Sequence, residues 1–426
     1  MNKDMSVFIH LKNQEGTHSR LDFLLFIGFV CYLLSLVFEG PVRYALVLAH
    51  AQTFLYLRDA IAVASIIIFL FKGITNSRPI TEPCTIAIYL LFVHLFIAIW
   101  LGNTIFSILF SSKLFLTALY GLSIADQVHI YRNFLPKLFI FLFIGTVAGI
   151  IANYFIGAFP WEGELFESAF GAVKSTKVWW SGGERRLSGF ARASYSAALI
   201  IGVVGGFMLG HYKSITLKIV IFIFGTAAIY LSTSKGMIMA FGLAWMWATL
   251  TPQQATKTQG SKILPLLAVC CILIPIVASL SGANPNDIRT VPGFISSFWD
   301  RIAVTWPTTF GFLKEDFGWL IGKGLGGAGS AVMMGNNYMK FTPIDNYFWY
   351  LYSVFGIVAF IYFIAPIKRT IIGARKSSAF NREFVCILIV MITYGITTAL
   401  FEDAFFGIIY GVLSAWPYHN RETNAV

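Results

Sequence analysis

Long apolar runs recur along the whole chain, separated by short polar segments. We count twelve of them, at about 21–38, 57–73, 84–102, 104–122, 137–156, 192–210, 217–233, 236–250, 263–280, 344–366, 383–401 and 404–416. Most approach the ~20 residues that a helix needs to cross a bilayer. The pattern predicts an all-α polytopic membrane protein with about 12 transmembrane helices. The stretch 40–56 is also apolar but is interrupted by Arg43, His50 and Gln52, so we interpret it as a helix in the membrane interface or a re-entrant segment.

Composition excludes an ordinary soluble domain. Hydrophobic residues make up 57% of the 426 positions and charged residues only 12%, about half of the roughly 25% typical of soluble domains. The five cysteines lie within apolar runs and predict packing residues rather than disulfides or a metal site. The first 20 residues are polar and no small-residue cleavage site follows the first run, so a cleavable signal peptide is not expected.

The positive charges indicate an orientation in the membrane. The net charge of +11 comes from basic residues between the apolar runs, which favours positive-inside topology and contact with anionic lipid groups over nucleic-acid binding. Basic residues occur in every short segment on one side, including the cluster from Lys368 to Arg382. We therefore predict that both termini are cytoplasmic and that two large loops, 157–191 and 287–348, are extracytoplasmic. The corresponding domains are an N-terminal transmembrane bundle (1–156), a core with both outer loops (157–366) and a C-terminal helix pair (367–426).

Arginines in and beside these outer loops are the candidate ligand-binding residues: Arg186, Arg192, Arg289 and Arg301. The positive-inside rule leaves the extracytoplasmic side poor in basic residues, so basic residues on that side need an explanation. One explanation is pairing with acidic residues of the same loops. The other, which we favour for these four, is an anionic ligand at the membrane surface, since guanidinium groups bind phosphate oxygens bidentately.

Several short motifs in the second half resemble the O-antigen ligase and polymerase superfamily. They are Arg186-Leu-Ser-Gly189-Phe190 leading into Ser194-Tyr195-Ser196, then Leu231-Ser232-Thr233-Ser234-Lys235-Gly236, then Arg301 with Trp306, Gly324-Leu325-Gly326, and Asp345-Asn346-Tyr347 followed by Gly356. The match spans 185–366, less than half of the chain.

This resemblance implies a glycosyltransferase of the GT-C type in the bacterial inner membrane, acting on sugar chains carried by polyprenyl diphosphate. The expected donor and acceptor are both lipid-linked oligosaccharides. Ligases of the family carry a histidine in the large outer loop, whereas Asp345 stands at the matching position here and none of the seven histidines lies in either outer loop. This departure favours a polysaccharide polymerase of exopolysaccharide, capsule or O-antigen assembly over a ligase. A chain-length regulator and a flippase are possible partners.

The predicted chemistry needs a base and a stabilised leaving group. Asp345 is the first candidate for the general base, although an aspartate at a helix start is also a favoured structural cap; Glu402 and Asp403 are the next candidates. Arg289 and Arg301 would stabilise the departing diphosphate. The outer loops contain no Asp-x-Asp motif, so we expect no metal and no cofactor.

Aromatic and glycine residues complete the prediction. Trp179, Trp180 and Trp306 are candidates for stacking on sugar rings, with Asn346 and Tyr347 beside them, while most other aromatics fit an interfacial belt. The glycines from Gly322 to Gly329 match a dinucleotide fingerprint only literally, because no strand precedes them, and we interpret them as a flexible turn near the ligand.

Two questions stay open at this point. Lys113 lies within an apolar run and either lines a lipid groove or pairs with another helix. A transporter, such as a flippase for lipid-linked sugars, also fits twelve crossings, although no repeated halves are evident.

Overall fold

The computed structural model describes residues 20–75, 83–168, 171–181, 183–289, 292, 295–315, 317–335, 343–375 and 381–417. The α-helices are α1 (Arg20–Val37), α2 (Glu39–Leu48), α3 (Leu57–Thr75), α4 (Pro83–Trp100), α5 (Ile105–Ile130), α6 (Leu135–Ile156), α7 (Ser194–His211), α8 (Ile215–Leu231), α9 (Lys235–Leu250), α10 (Thr256–Ser279), α11 (Ser296–Asp300), α12 (Trp306–Leu313), α13 (Gly318–Ile321), α14 (Tyr347–Phe355), α15 (Ala359–Arg375), α16 (Asn381–Gly395) and α17 (Ala404–Ala415). Short 3₁₀ turns lie at Gln52–Tyr56, Arg132–Phe134, Gln253–Ala255, Pro285–Arg289, Gly329–Gly335, Gly356–Val358 and Leu400–Glu402, and a π-turn at Arg301–Thr305 joins α11 to α12.

Each predicted apolar run falls on one of these helices, except the run 344–366, which is divided between α14 and α15 by the turn Gly356–Val358. Within the described residues, eight helical segments are long and apolar enough to cross a membrane, and α8 and α17 are shorter apolar helices. The helical, multi-pass class is therefore confirmed, while the count of 12 crossings and the orientation stay predictions. The interrupted stretch 40–56 folds as α2 and a 3₁₀ turn, which are too short to span a bilayer.

Small residues allow the N-terminal and C-terminal helices to pack closely. A Cβ on Gly121 of α5 would lie 2.2 Å from the carbonyl oxygen of Ile408 in α17, and a Cβ on Gly411 would lie 2.2 Å from that of Ala118. In lipid, where no hydrophobic force drives helices together, such close backbone approach is a main source of association. Helices from all three predicted domains share one continuous core.

The loop between α6 and α7 departs from the all-helical prediction. It contains two antiparallel hairpins, β1 (Leu165–Ser168) with β2 (Gly171–Lys174) and β3 (Trp179–Ser181) with β4 (Glu184–Arg186). Glu162 of this loop binds Asn153 at the end of α6 and pairs with Arg185 of β4. These bonds hold β4, and so Arg186, close to the helix ends.

The glycine-rich segment after α13 is buried, so its interpretation as a flexible turn near the ligand is wrong. Gly324 and Gly326 have positive φ values of 69° and 81°, which favour glycine. A Cβ on Gly324 would lie 2.8 Å from the Cα of Ala98 in α4, and one on Gly326 would lie 2.5 Å from the carbonyl carbon of Ser107 in α5. The glycines let this segment pack against two transmembrane helices.

Replacing Gly121 by alanine tests this close packing. The added methyl group overlaps the α17 backbone, and we expect Gly121→Ala to lower the free energy of unfolding by about 1–3 kcal/mol. The measurement is the fraction of folded protein that remains in detergent after heating. Gly242→Ala in α9 is the matched control, because a Cβ there meets nothing within 4 Å. Equal stability of the two variants would contradict the packing described.

Candidate functional site

Residues of three of the motifs listed above contact one short segment, 394–397, at the end of α16. Ser234 donates a hydrogen bond to the Tyr394 hydroxyl at 3.1 Å, and a Cβ on Gly236 would lie 2.7 Å from Thr397 Oγ1. Arg301 Nε donates to the Thr397 carbonyl oxygen at 3.1 Å. The segment therefore joins two parts of the chain that are more than sixty residues apart in sequence.

Arg301 is held by three protein acceptors. Besides Thr397, its Nη1 donates to the Ser297 carbonyl oxygen at 2.7 Å, and its Nη2 lies 3.2 Å from Asp345 Oδ2. The side chain is 22% exposed. Arg301 thus fixes the π-turn against the start of α14, and its remaining exposed edge is what a ligand could reach.

Asn346, predicted to contact sugar, is a buried structural residue. Its Oδ1 accepts from the Trp349 backbone N–H at 2.9 Å and caps α14, while Nδ2 donates to the carbonyl oxygens of Cys271 at 3.0 Å and Ile396 at 3.1 Å. An asparagine cap is favoured because it satisfies an unpaired N–H of the first turn. Asn346 therefore ties α10, α14 and the 394–397 segment together.

Trp306 and Tyr347 are also inside the protein. Trp306 is 1% exposed and donates from Nε1 to the Asp345 carbonyl oxygen at 3.2 Å, and Tyr347 is 2% exposed among the rings of Phe363 and Phe406. Neither ring, nor the Asn346 amide, can meet a sugar in this conformation. Their predicted role in sugar binding is replaced by one in packing.

Trp179 and Trp180, by contrast, are accessible, at 42% and 65% exposure. Trp179 is paired across the hairpin with Arg186, whose guanidinium carbon lies 5.9 Å from the Trp179 ring centre. The Lys177 ammonium lies 5.8 Å from the same ring. Trp179 therefore presents an aromatic surface flanked by two cations, and such cation–π contacts also orient the side chains.

Arg186 and Arg301 come from the two different loops that were predicted to be extracytoplasmic, and their charges act on one another. Burial lowers the pKa of Arg186, Tyr394 partly offsets this effect, and the positive charge of Arg301 lowers the pKa further. Arg186 Nε also lies 3.5 Å from the Ser232 carbonyl oxygen, in the motif between α8 and α9. Two like charges held in one region are stabilised when an anion binds between them.

Arg192 belongs to a different group of charges. Burial lowers the pKa of Lys177, Arg192 lowers it further, and Glu402 and Glu39 oppose this change. The Lys177 backbone N–H donates to the Arg192 carbonyl oxygen at 2.8 Å. Arg192 Nε is buried without a hydrogen-bond partner among the described residues.

Arg289 ends a 3₁₀ turn, and its side chain lies outside the described residues. Of the four predicted phosphate-binding arginines, the structure therefore brings Arg186 and Arg301 together and places Arg192 beside the Glu39 and Lys177 charges.

Three carboxyl groups lie near these cations. Burial raises the pKa of Asp345, and Arg301 opposes the shift, while 41% exposure of the side chain lets solvent moderate it. Burial also raises the pKa of Glu402, which accepts from the Ser330 backbone N–H at 2.8 Å and is influenced by Asp345. Asp403 accepts from two backbone N–H groups at the start of α17 and is a helix cap. Asp345 and Glu402 are the carboxylates available for chemistry.

The intramembrane charges resolve into ion pairs. Lys113 Nζ lies 2.7 Å from Asp59 Oδ2, so it pairs with another helix, one of the two alternatives left open by the sequence. Arg58, beside Asp59 in the chain, faces Glu39 of α2 at 3.5 Å.

The fold and these charges define a multi-pass helical membrane protein with a polar site at one end of its bundle. No protein-family model, curated protein or solved structure matches the chain. The described residues contain no group of three His, Cys, Asp or Glu side chains placed to hold a metal ion.

Sequence reasoning did not assign Tyr394, Glu39 or a specific role for Lys177. Glu39 directly follows an apolar run and Tyr394 lies within one, so neither stands out in the sequence. Lys177 is one of several basic residues in the loop 157–191. Their importance comes from contacts between distant parts of the chain, which spacing alone does not reveal.

Replacing Asn346 by alanine tests the structural role of this residue. Loss of the cap and of two buried hydrogen bonds is expected to lower the free energy of unfolding by about 2–4 kcal/mol. Thermal unfolding in detergent, followed by size-exclusion recovery, measures the change. Asp345→Asn, one residue away and partly exposed, is the control and should retain near-native stability. A stable Asn346→Ala protein would show that the amide is not a structural hub.

Proposed function

We propose that this chain is a polysaccharide polymerase of the bacterial cytoplasmic membrane, joining oligosaccharide repeat units carried on polyprenyl diphosphate at the extracytoplasmic face. The predicted positive-inside topology assigns the polar site to that face. The acceptor and donor are both lipid-linked, so the reaction takes place at the membrane surface.

The observation that carries the proposal is the convergence of three separate motifs on the 394–397 segment, those of Ser234, Arg301 and Asn346, with the Arg186 motif joined to them through Ser232. Arg186 Nε lies near the Ser232 carbonyl oxygen. Ser234 contacts Tyr394, and Gly236 packs against Thr397. Arg301 donates to the Thr397 carbonyl oxygen. Motifs that resemble one family and are scattered over 160 residues are expected to meet only if they serve one site. Exposed Trp179 and Trp180 supply sugar-stacking surfaces beside this site.

The transfer itself breaks one bond and forms another at the same carbon. The acceptor hydroxyl attacks the anomeric carbon of the donor sugar, the bond from that carbon to the diphosphate oxygen breaks, and the electron pair leaves with the diphosphate. Arg186 and the exposed edge of Arg301 stabilise the charge that develops on the leaving group. Because guanidinium groups keep their charge at any relevant pH, they can do so without a metal ion.

The proton of the acceptor hydroxyl needs an acceptor of its own. Asp345 is 41% exposed and lies 3.2 Å from Arg301, so the proposed base and the leaving-group cation are adjacent. Burial raises the pKa of Asp345 above that of a free aspartate, which makes its carboxylate a stronger base. Glu402, influenced by Asp345, is the next candidate.

Replacing Arg186 by alanine in a gene-deletion strain tests the function. The deletion strain should accumulate single repeat units on the carrier and lack long polymer, and the native gene should restore polymer. Arg186→Ala should leave polymerisation reduced by ~100-fold or more, as for loss of one preorganised donor. Arg132→Ala, at the opposite end of the bundle, should restore it fully.

The same experiment separates the alternatives. A ligase would leave full-length polymer on the carrier without transfer to an acceptor. A flippase would leave repeat units in the cytoplasmic leaflet. Either result would overturn the polymerase assignment. Native activity of Arg186→Ala would show that Arg186 does not take part in the reaction.

The pH dependence of transfer tests Asp345. The base must be ionised, so kcat/KM should fall as the pH drops through the raised pKa of Asp345, at a higher pH than for an ordinary aspartate. Asp345→Asn should lower the rate by ~100–10,000-fold and remove this acid limb from the residual activity. Initial rates of purified protein between pH 4 and 8 provide the profile. An unchanged acid limb in Asp345→Asn would transfer the role to another group, with Glu402→Gln as the comparison.

A further inference from the structure

One turn of the second predicted outer loop presents apolar side chains to its surroundings. Phe317, Trp319 and Leu320, at the start of α13, are 75%, 39% and 60% exposed. Single exposed apolar residues are ordinary on a protein surface, whereas contiguous apolar patches mark interaction sites. We call this patch the 317–320 tip.

The backbone of Phe317 is held in an unusual conformation. Its φ and ψ values are 56° and 24°, in the left-handed region, where a bulky residue is an outlier. The turn requires this conformation, because the Phe317 carbonyl oxygen accepts from the backbone N–H groups of Leu320 at 2.8 Å and Ile321 at 3.2 Å and so begins α13. Glycine would adopt it without steric cost. A strained phenylalanine with an exposed ring is therefore best explained by an apolar contact that the ring makes outside the chain.

The inner side of the tip is fixed to α14. The Tyr352 hydroxyl donates to the Trp319 carbonyl oxygen at 2.5 Å. The Trp319 ring centre lies 6.2 Å from that of Phe310 in α12 and 6.0 Å from that of Trp349 in α14. These contacts hold α13 in place, so the side chains on its outer side stay directed away from the protein.

The tip is continuous with the surface of a spanning segment. A Cβ on Gly356 would lie 2.2 Å from the Leu320 carbonyl oxygen, so α13 lies directly against the turn between α14 and α15. Ile357 follows this turn's first residue and is 57% exposed, and Ile361, one helical turn further, is 55% exposed. Both belong to the candidate span that starts at Tyr347, whose exposed apolar side chains face lipid. The same lipid therefore extends to the tip.

Charged residues border the tip on the side away from α15. Lys314 and Glu315, which precede it in the chain, are both exposed. An apolar patch beside exposed charges is the pattern of segments that lie in the membrane interface, with their apolar side about 5–10 Å into the boundary between head groups and acyl chains. A partner protein on the tip would have to displace lipid from the adjoining face of α15, so lipid is the occupant that we favour.

We propose that the 317–320 tip is inserted into the membrane leaflet next to the candidate site, with Phe317 and Leu320 on the acyl chains and Lys314 and Glu315 among the head groups. The tip thereby anchors the segment that carries Arg301 to the membrane surface. This anchor does not depend on sugar transfer and would act in a protein of any activity.

The depth of a nitroxide label attached to Leu320→Cys tests the proposal. The full-length protein is used in phosphatidylcholine vesicles, after Cys31 and Cys270, the two cysteines that are not buried, have been replaced by serine. Labels on Ile361→Cys and on Trp180→Cys, 65% exposed on the hairpin, are the lipid and aqueous references. The ratio of accessibility to oxygen over accessibility to a soluble nickel complex should be near the Ile361 value. A ratio near the Trp180 value would overturn the proposal.

Two substitutions of Phe317 separate lipid contact from the shape of the turn. Phe317→Asn keeps the turn, because asparagine also adopts positive φ values, and should make the Leu320 label severalfold more accessible to nickel. Phe317→Leu keeps an apolar side chain and should leave this accessibility near its original value. Equal accessibility in the two variants would overturn the proposal. The Ile361 label should not change in either variant, which shows that both remain folded in the membrane.

Discussion

The polar end of this protein depends on two backbone carbonyl groups, those of Ile396 and Thr397. They accept hydrogen bonds from the Asn346 amide and from Arg301 Nε. The chain leaves α16 there without regular structure, so these carbonyls have no helical partners and must be satisfied by side chains. That requirement brings the start of α14 and the π-turn before α12 to one place. Asp345 and Arg301 become an ion pair as a consequence of how the backbone is satisfied.

The helices could be predicted because lipid imposes a simple rule on the sequence. Each spanning segment must be long, apolar and internally hydrogen-bonded, and the predicted runs are accordingly helical, with one run, 344–366, divided between α14 and α15. The hairpin that carries Trp179 and Arg186 could not be predicted in the same way, since its strands are only three residues long and no periodicity can mark them. The buried glycine segment was predicted wrongly for a related reason. Glycine can indicate either a flexible backbone or close packing against a neighbour, and the sequence does not show which neighbouring helices are present.

The site could be predicted only in part. The sequence identified Arg186, Arg301 and Asp345 by residue type and resemblance, and these side chains lie in one region. It assigned Trp306 and Asn346 to sugar contact because they are polar or aromatic and belong to an outer loop. Both side chains are instead buried and donate hydrogen bonds to backbone carbonyl oxygens, Trp306 to that of Asp345 and Asn346 to those of Cys271 and Ile396. Such contacts exist only in the folded chain and cannot be inferred from residue type. The charged residues also form two groups, one around Arg301 and one around Glu39. Each group contains ion pairs between residues that are distant in the sequence, and the sequence alone does not show these pairs.

The central claim is that the arginines at this end of the bundle hold the phosphates of a lipid-borne sugar donor. An experimental structure of the protein with a polyprenyl diphosphate bound, in a lipid nanodisc, tests it most directly. The account predicts diphosphate density within hydrogen-bond distance, about 3 Å, of Arg186 and the exposed edge of Arg301, with the first sugar against Trp179. A diphosphate bound elsewhere, with Arg186 directed into solvent, would contradict the account.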